Sequence, residues 1–465
     1  MADDRKAWSA SMLTFRGYTR LMKMLGDDEH KHLDNERLAK LEYVSVRHSG
    51  LNCANPTVIA MPAICLPFDR LGGAIALRDY NDVQAIIGRC RCGYVCQAYY
   101  FPRDKYGNSR TAIALKVMDK DLIAIERDDT DNEVRIMAQL QPHGMQTPLA
   151  SKHVLRWDRA RCEKNDYIAT EYVANGSLSS FMRRAYESLL KKYAQSTLLP
   201  LDVRRSVAHE FLATVALPLY GSILQGLVYL HTQGVCHLDI DPYNIAVGRE
   251  HGPEPASPYR YFATYIDFGS SQILDGRLLV GAGRENPAIK AKITYRSPEL
   301  KTNAQERTSY INFVKKNRGA MSLQAEREKM PKGFDGRASD LYSVGVVGIE
   351  LLLYGYQLPG FLGSAFVSTS SNPKWRDFFI DHFDKSVVCP TPCLFCDHHI
   401  TLPESAVQIL LRLVGTDVKA RGFADQIALA WLAAHGDKTD TTAPYYGVAT
   451  AMDDVDMASH SASSA

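Results

Sequence analysis

The chain has 465 residues, of which 46% are hydrophobic and 23% are charged. This apolar content is enough for a large core, and the length predicts two or three domains or one two-lobed domain. Because the formal net charge is only +2, charge gives no reason to expect a nucleic acid or a membrane surface as a partner.

The cysteines and the first residues bear on the cellular compartment. The ten cysteines are spread along the chain, unlike the dense framework of a small secreted domain. The segment MADDRKAWSASM contains no apolar run typical of a signal peptide. We therefore expect an intracellular protein, cytoplasmic or nuclear. The most apolar stretch, 342–358, is short for a bilayer span and contains Glu350, which favours a buried core helix.

Residues 1–80 form an N-terminal extension that carries no recognisable chemistry. Within it, leucines recur on one side of a polar segment, which predicts a helix over 27–46. The segment PTVIAMPAICLPF is apolar and punctuated by proline, so packed coil or an edge strand is favoured over a helix.

From about residue 82, β-branched and aromatic runs predict strands. The runs are VQAIIG, GYVCQAYYF and TAIALKVM, and a fourth, DYIATEYV, follows the predicted helix DNEVRIMAQL. Beyond residue 176 the chain is mainly helical, as in SLSSFMRRAYESLLKKYA and AHEFLATVALPLYGSILQGLVYLHTQG. Strands followed by helices predict an α+β fold with two unlike lobes, and small ligands usually bind in a cleft between lobes. Residues 436–465, rich in small and acidic residues, are expected to be a disordered tail.

Three oxygen-bearing side chains fall in two loops of the helical half. Asp239 and Asn244 lie in GVCHLDIDPYNIAVG, and Asp267 ends an apolar strand just before Phe268 and Gly269. A carboxylate of this set can accept a proton, while carboxylate and amide oxygens hold a hard cation such as Mg²⁺. The alternative is a turn in which Asp239 and Asn244 cap backbone N–H groups.

The strand-rich half contains a lysine that needs a partner. Lys116 lies in the apolar strand IALKV, and a buried unpaired charge is costly. Glu133, in the predicted helix after this strand, can be that partner. Upstream, Gly88 and Gly93 lie in a strand–turn–strand segment, which suits a loop whose backbone approaches phosphates closely.

The order of these motifs resembles the eukaryotic-type protein kinase family over about 82–435: glycine-rich hairpin, strand lysine, helix glutamate, H-x-D-x4-N, D-F-G and S-P-E. TEYVANGSL is similar to the family's hinge, and TYRSPEL to the end of its activation segment. DLYSVGVVGIELLLYG, with Asp340 and Gly345, is similar to its central C-lobe helix. Arg421 stands where the family has an arginine that pairs with the S-P-E acid, here Glu299, so we expect a buried ion pair. CHLDIDPYN also resembles kinases encoded by large DNA viruses, the herpesvirus type among them.

The resemblance implies a two-lobed protein-kinase-like fold with the kinase domain over 81–435. A small antiparallel β-rich N-lobe would cover 81–172 and a larger, mainly α-helical C-lobe 173–435, with a basic insertion at about 301–338. It also implies an enzyme that uses ATP and Mg²⁺ to phosphorylate protein substrates. Serine and threonine hydroxyls are preferred, because TYRSPE lacks the tyrosine-kinase pattern.

Residue roles are implied by position in the family's motifs. Lys116, held by Glu133, would contact the α and β phosphates of ATP. Asp267 and Asn244 would hold Mg²⁺, and Asp239 would orient the substrate hydroxyl and accept its proton. The hinge backbone at 171–173 would bind adenine, with Thr170 as gatekeeper. The nucleotide-binding set expected beside Lys116 is Gly88, Gly93, Val95, Ala114, Thr170, Glu171 and Val173.

Several positions depart from the family's pattern. Cys90 stands at the middle glycine of the loop. Leu238 replaces the arginine that receives an activation-loop phosphate, so we expect activity without such a phosphate. Asp241 replaces the usual lysine, whereas Lys292 stands where the family has a threonine. We predict that Lys292 and Asp241 form a pair; the alternative is that Lys292 points to solvent and Asp241 caps its own loop.

Two further segments allow more than one interpretation. Four side chains of CPTPCLFCDHH could bind a tetrahedral Zn²⁺, the alternative being free thiols in a surface loop. These residues are Cys389, Cys393, Cys396 and His398. The insertion at 301–338 is expected to be solvated, with a docking surface for acidic substrates as the alternative.

Two other functions stay open at this level. A catalytically weak pseudokinase scaffold is favoured by Cys90, Leu238 and Asp241, although all five residues named for catalysis are present. A small-molecule phosphotransferase of kinase-like fold also tolerates H-x-D-x4-N without arginine. Enzymes of that kind lack the S-P-E segment and its arginine partner, and both are found in this chain.

Overall fold

The computed structural model describes the chain in segments: 44–48, 57–61, 74–77, 86–90, 92–101, 111–126, 129–141, 151–161, 165–193, 201–254, 257–274, 279–282, 291–317, 322–356, 374–384 and 400–436. The predicted zinc cluster at 389–399 lies outside these residues, and so does the predicted tail beyond its first residue. The predicted bounds of the extension, the kinase domain and the tail remain predictions.

The chain folds into two compact units. The first comprises Met1–Leu149 and Leu155–Val173, and the second Ala150–Val154 and Ala174–Ala465. The first unit is built on an antiparallel sheet and the second is mainly helical. This confirms the predicted two-lobed α+β fold.

The strands of the first unit are β1 (Val44–His48), β2 (Thr57–Met61), β3 (Ala74–Leu77), β4 (Ile86–Cys90), β5 (Gly93–Phe101), β6 (Thr111–Asp119), β7 (Trp157–Arg161) and β8 (Asn165–Glu171). A six-stranded antiparallel sheet has the order β3-β5-β6-β8-β7, with β4 also paired to β5, while β1 and β2 pair with each other. Because β1 begins at Val44, the helix predicted over 27–46 is wrong at its end. The β-branched run VSV favours a strand there.

Burial alternates along β6 as expected for a sheet with one core face. Ile113, Leu115 and Val117 are buried, and Lys116 is among the half-buried residues between them. At the start of β5, a Cβ on Gly93 would lie 1.8 Å from the carbonyl oxygen of Val117. Only glycine fits at this position, so the close pairing of β5 with β6 by itself requires it.

Two helices, α1 (Lys120–Glu126) and α2 (Thr130–Leu140), come after β6. The N-terminus of α2 is capped by Asp129, which accepts from the N–H of Asn132 at 2.8 Å. The Thr130 hydroxyl donates to Asp166 Oδ2 at 2.8 Å, and Arg159 Nε donates to Asp166 Oδ1 at 2.9 Å. This buried network ties the first turn of α2 to β7 and β8.

The helices of the second unit are α3 (Leu178–Tyr193), α4 (Leu201–Phe211), α5 (Leu217–Thr232), α6 (Pro298–Lys316), α7 (Leu323–Lys329), α8 (Gly336–Leu353), α9 (Lys374–Phe383), α10 (Glu404–Val414) and α11 (Ala424–His435). Its strands are β9 (Val235–Cys236), β10 (Ile245–Glu254), β11 (Ser257–Tyr265), β12 (Gln272–Ile273), β13 (Leu279–Ala282) and β14 (Lys332–Asp335). They pair as β9–β12, β10–β11 and β13–β14. A π-helical turn, Leu212–Ala216, joins α4 to α5.

Helix α8 is buried along nearly its whole length. A Cβ on Gly345 would lie 2.7 Å from Leu413 Cβ in α10, and one on Gly348 would lie 2.5 Å from the Tyr220 ring in α5. These two glycines therefore let neighbouring helices approach closely. By length and composition, 205–232 and 336–356 could each cross a membrane, but 61% and 89% of their apolar windows are buried inside the protein. Burial of this kind is usual for core helices.

The predicted insertion at 301–338 is packed into the second unit. It contains most of α6, α7 and β14. The Tyr310 hydroxyl of α6 donates to Glu326 of α7 at 2.6 Å, and Asn303 Nδ2 donates to the carbonyl of Gly281 in β13 at 3.1 Å. Its docking role remains a prediction.

The predicted ion pair between Glu299 and Arg421 is confirmed. The Arg421 side chain is fully buried, and Glu299 lies in the first turn of α6. The guanidinium also donates to the carbonyls of Ala338 at 2.9 Å and Gly415 at 3.0 Å. One arginine thus joins the starts of α6 and α8 to the end of α10.

We expect Arg421→Ala to lower the free energy of unfolding by about 3 to 5 kcal/mol, because it strands the carboxylate of Glu299 and removes a charged donor from the carbonyls of Ala338 and Gly415. Chemical denaturation followed by circular dichroism measures this loss. Arg327→Ala, which truncates an exposed arginine of α7, is the matched control and should cost less than about 0.5 kcal/mol. Equal denaturation midpoints for Arg421→Ala and Arg327→Ala would show that the buried ion pair does not stabilise the fold.

Candidate active site

In the first unit, Lys116 and Glu133 form the predicted pair. Lys116 Nζ lies 2.9 Å from each carboxylate oxygen of Glu133, and the two side chains are 16% and 6% exposed. Glu133 lies in the first turn of α2, where the partial positive charge of the helix end also favours an acid. The network of Thr130, Arg159 and Asp166 fixes that turn, so the ammonium of Lys116 has a defined position.

Four of the residues predicted to surround a nucleotide, Val95, Ala114, Lys116 and Thr170, share one face of the sheet. Val95 lies opposite Lys116 in the register of β5 and β6, and Ala114 lies opposite Thr170 in that of β6 and β8. Since alternate residues of a strand point to the same face, all four side chains project from one side. They are half-buried, whereas residues of the opposite face, such as Leu115 and Ala169, are fully buried.

The segment predicted as the hinge uses two of its N–H groups within the first unit. Glu171 N–H donates to the carbonyl of Arg156 at 3.3 Å, and Tyr172 N–H donates to that of Ala112 at 3.2 Å. In the described part of the chain, the N–H of Val173 has no such bond. The Glu171 side chain accepts from Arg156, which indicates a structural use.

The two glycines of the predicted phosphate loop differ in what requires them. Gly93 is required by its close approach to the neighbouring strand β6. Gly88 lies opposite Val95 in β4, and a Cβ there would meet Val95 only at an ordinary 3.7 Å. Within the described residues, packing does not demand a glycine at position 88.

In the second unit, His237 begins the loop that carries Asp239. It is fully buried, and burial lowers the pKa of its imidazole, so the ring is neutral. Its Nε2 lies 3.1 Å from the carbonyl of Ile266. Because a carbonyl can only accept, Nε2 donates there and Nδ1 accepts from the N–H of Asp239 at 3.4 Å.

The loop is held by one acid, Asp340, in the first half of α8. Its Oδ2 accepts from the N–H of His237 and its Oδ1 from the N–H of Leu238, both at 2.8 Å. The ring of His231 lies 3.1 Å from the same Oδ2. Leu238 has a φ of 63°, a left-handed conformation that branched side chains rarely adopt. The two bonds to Asp340 stabilise that turn.

Asp239 and Asn244 are brought together as predicted. Asn244 Nδ2 donates to the carbonyl of Asp239 at 2.9 Å and to its Oδ2 at 3.1 Å. The other carboxylate oxygen, Oδ1, accepts the N–H of Lys292 at 3.3 Å. The carboxylate of Asp239 is therefore oriented from both sides, and the amide oxygen of Asn244 is turned away from it.

Negative charge accumulates around this carboxylate. The pKa of Asp239 is raised to about 8, first by burial and then by the charges of Asp241 and Asp267, while the charge and the backbone N–H of Lys292 act to lower it. Asp267 comes after β11 with a φ of 62° and begins the turn Phe268–Ser270. The carboxylate of Asp267 and the amide oxygen of Asn244, the two predicted metal ligands, are hard oxygens of the kind that Mg²⁺ prefers.

The predicted pair of Lys292 and Asp241 is confirmed. Lys292 Nζ lies 2.5 Å from Asp241 Oδ2, an ion pair whose geometry is not that of a directed hydrogen bond. Asp241 also caps its own loop, since its Oδ1 accepts the N–H groups of Tyr243 at 2.6 Å and Asn244 at 3.2 Å. The alternative weighed from the sequence holds only in its second half, since Asp241 caps its own loop but the ammonium of Lys292 contacts Asp241 instead of pointing only to solvent.

Sequence reasoning missed two features of this region. It assigned Asp340 to a helix but did not predict the hydrogen bonds of its carboxylate to the loop. It also did not predict the contact of Tyr295 with Glu350. The Tyr295 hydroxyl donates to Glu350, whose carboxyl pKa is raised chiefly by burial. A charged residue inside the apolar stretch 342–358 was the available signal for a buried polar partner.

Comparisons with known proteins agree with the motif order. The family model "Protein tyrosine and serine/threonine kinase" matches residues 82–308. The chain is 34% identical over 91 residues, 20% of its length, to the protein kinase gsk3 of Schizosaccharomyces pombe. It is 22% identical over 330 residues, 70% of its length, to a Dictyostelium discoideum protein described as a probable serine/threonine-protein kinase, fhkC. It is 27% identical over 176 residues, 37% of its length, to the serine/threonine-protein kinase Aurora-1 of Arabidopsis thaliana.

The matches cover only part of each relative. The aligned regions span 20%, 41% and 47% of the three relatives' own lengths. The likeness therefore concerns a shared domain.

We expect Asp340→Ala to lower the free energy of unfolding by about 2 to 6 kcal/mol, because it leaves the buried N–H groups of His237 and Leu238 without an acceptor. Urea denaturation of the variant and the wild type measures the difference. Asp377→Ala removes a carboxylate whose side chain is 52% exposed and serves as the control. An Asp340→Ala variant as stable as this control would show that the loop does not depend on the carboxylate.

Proposed function

The chain belongs to the eukaryotic-type protein kinase superfamily, and we propose that it transfers the γ-phosphate of ATP to serine and threonine hydroxyls of protein substrates. The observation that carries this proposal is the geometry of Asp239. Its carboxylate is oriented by Asn244 on one side and by the backbone of Lys292 on the other. A fixed carboxylate beside two further oxygen ligands suits proton acceptance next to a metal-bound phosphate.

The chain's own residues divide the work. Lys116, oriented by Glu133, binds the α and β phosphates, and the face formed with Val95, Ala114 and Thr170 receives the adenosine. Asp239 orients the acceptor hydroxyl. In the transfer, the hydroxyl oxygen forms a bond to the γ-phosphorus, and the bond from that phosphorus to ADP breaks with its electron pair on ADP. The hydroxyl proton passes to the carboxylate of Asp239.

The donor set of Asn244 and Asp267 is proposed to hold Mg²⁺. The ion supplies positive charge that neutralises the phosphates and favours the ionised form of Asp239. Burial and, after it, the neighbouring carboxylates of Asp241 and Asp267 raise the pKa of Asp239, and a cation at this place would compensate the negative charge of these carboxylates.

Serine and threonine are the proposed acceptors for two reasons. The fhkC and Aurora-1 relatives are both described as serine/threonine-protein kinases. In addition, neither Asp241 nor Tyr243 is an arginine, the residue implied at one of these positions in tyrosine kinases.

We expect Asp239→Asn to lower kcat by about 10²- to 10⁴-fold, because an amide cannot accept the hydroxyl proton. Lys116→Met should abolish transfer, because the phosphates lose the cation that orients them. The measurement is transfer from radiolabelled Mg·ATP to a peptide library, resolved into phosphoserine, phosphothreonine and phosphotyrosine. Lys152→Met removes a lysine from a surface ion pair with Glu250 and should stay within about 2-fold of the wild type.

The outcomes separate the competing functions. A wild-type protein that binds Mg·ATP and transfers no phosphate would be a scaffold. Transfer to small molecules but not to peptides would make it a small-molecule phosphotransferase. Phosphotyrosine as the main product would refute the proposed acceptors.

We expect phosphatase treatment of the purified protein to leave its activity unchanged. Leu238, which is buried and bonded through its N–H to Asp340, offers no positive charge to a phosphate on the activation segment. The test compares kcat before and after treatment and maps phosphorylated residues by mass spectrometry. A large loss of activity, traced to a site between Ser270 and Thr294, would contradict this expectation.

A further inference from the structure

Lys292 lies beside the proposed proton acceptor, so any role for it in phosphoryl transfer rests on the proposed function. Its backbone N–H donates to Asp239 Oδ1 at 3.3 Å. Its ammonium lies 2.5 Å from Asp241 Oδ2 and 4.3 Å from the centroid of the Tyr243 ring. One residue therefore contacts Asp239 through its backbone and places a positive charge two residues along the same loop.

Helix α8 fixes the backbone of Lys292 through Tyr295. Its carbonyl accepts the N–H of Tyr295 at 3.1 Å, and the carbonyl of Tyr295 accepts the Ser343 hydroxyl at 2.8 Å. The Tyr295 hydroxyl in turn donates to the half-buried Glu350. Two side chains of a rigid core helix thus fix the turn from which the lysine projects.

The ammonium is positioned by a carboxylate that cannot turn. Asp241 is fully buried, and its Oδ1 accepts the N–H groups of Tyr243 and Asn244. These bonds fix the orientation of the carboxylate and therefore the position of its Oδ2. The Lys292 side chain is 48% exposed. An ammonium has three donors, and the contacts of this one in the described part of the chain are with Asp241 and the Tyr243 ring. Donors remain for a ligand that reaches it from solvent.

We propose that Lys292 is a further catalytic residue, which binds the γ-phosphate of ATP at the transfer site while Asp241 holds its ammonium in place. Phosphoryl transfer spreads negative charge over the oxygens of the moving group. This charge is repelled by three nearby carboxylates, those of Asp239, Asp241 and Asp267. The ammonium of Lys292, fixed beside Asp239, stabilises the negative charge of the transferred group.

A purely structural role of Lys292 and a contact with the γ-phosphate predict different effects on the binding of ADP and ATP. A tether between the segment 291–297 and the loop affects the whole site, so its loss changes the binding of ADP and ATP alike. A contact with the γ-phosphate exists only when the nucleotide has three phosphates. The ratio of the two dissociation constants therefore reports the contact without any turnover.

The experiment measures the Kd of Mg·ADP and of Mg·adenylyl imidodiphosphate, a triphosphate that is not turned over, by titration calorimetry of the full chain. We expect Lys292→Met to weaken the triphosphate about 10-fold, equivalent to about 1.4 kcal/mol, and ADP less than about 2-fold. Its kcat should fall at least about 10-fold. Lys301→Met, on α6 nine residues further along the chain and half-exposed, should leave both constants unchanged.

A second variant guards against misfolding. Lys292→Met alone strands the buried carboxylate of Asp241, so the double variant Lys292→Met with Asp241→Asn removes both charges together. We expect the double variant to bind the triphosphate as weakly as Lys292→Met does. Recovery of the wild-type ratio in the double variant would trace the loss to the stranded carboxylate and overturn the proposal.

The result also distinguishes this inference from the proposed function. If the wild type transfers phosphate and Lys292→Met keeps both its kcat and its ratio of dissociation constants, only the role of Lys292 is wrong. If the wild type transfers no phosphate to any peptide, the proposed function fails and with it the part of Lys292 in transfer, whereas the ratio of dissociation constants still shows whether Lys292 contacts the γ-phosphate.

Discussion

The loop that carries Asp239 depends on the buried carboxylate of Asp340. Two neighbouring N–H groups, those of His237 and Leu238, both donate to it at 2.8 Å. Leu238, the second of these two residues, has a left-handed φ of 63°. Such strain persists only where the surroundings over-determine it. Helix α8, which is buried nearly throughout, thereby sets the position of Asp239.

Charge is the second constraint on the site. The loop and the strand end beyond it bring together Asp239, Asp241 and Asp267, and the pKa of Asp239 is raised first by burial and then by the charges of the other two carboxylates. Part of this charge is compensated within the protein by Lys292. The remainder suits a divalent cation at Asp267 and Asn244. The folded protein thus keeps an excess of negative charge at this place, which a bound complex of metal and nucleotide would neutralise. Such uncompensated charge is common where a site is pre-organised for its ligand.

The sequence predicted what depends on local pattern or on motif spacing. Strand β5 matches the run GYVCQAYYF, and the pairs Lys116–Glu133, Glu299–Arg421 and Lys292–Asp241 follow from motif positions. It did not predict contacts that depend on tertiary placement alone. The bond from Tyr295 to Glu350 joins residues 55 positions apart, and no periodicity links them. The basic segment 301–338 looked like a solvated insertion because of its charge, yet buried residues such as Tyr310 and Glu326 pack it into the second unit.

The positions of Lys292 and Asp241 show that a site can keep a charge while changing the segment that supplies it. A cation on the catalytic loop itself would be placed by Asp340 through the loop's backbone. A cation at position 292 is instead placed by the turn that Tyr295, Ser343 and Glu350 hold against α8. Its location therefore depends on the folding of the segment 291–297 as well as on the loop. This segment has an anchor that needs no phosphate, which is consistent with the absence of an arginine at position 238.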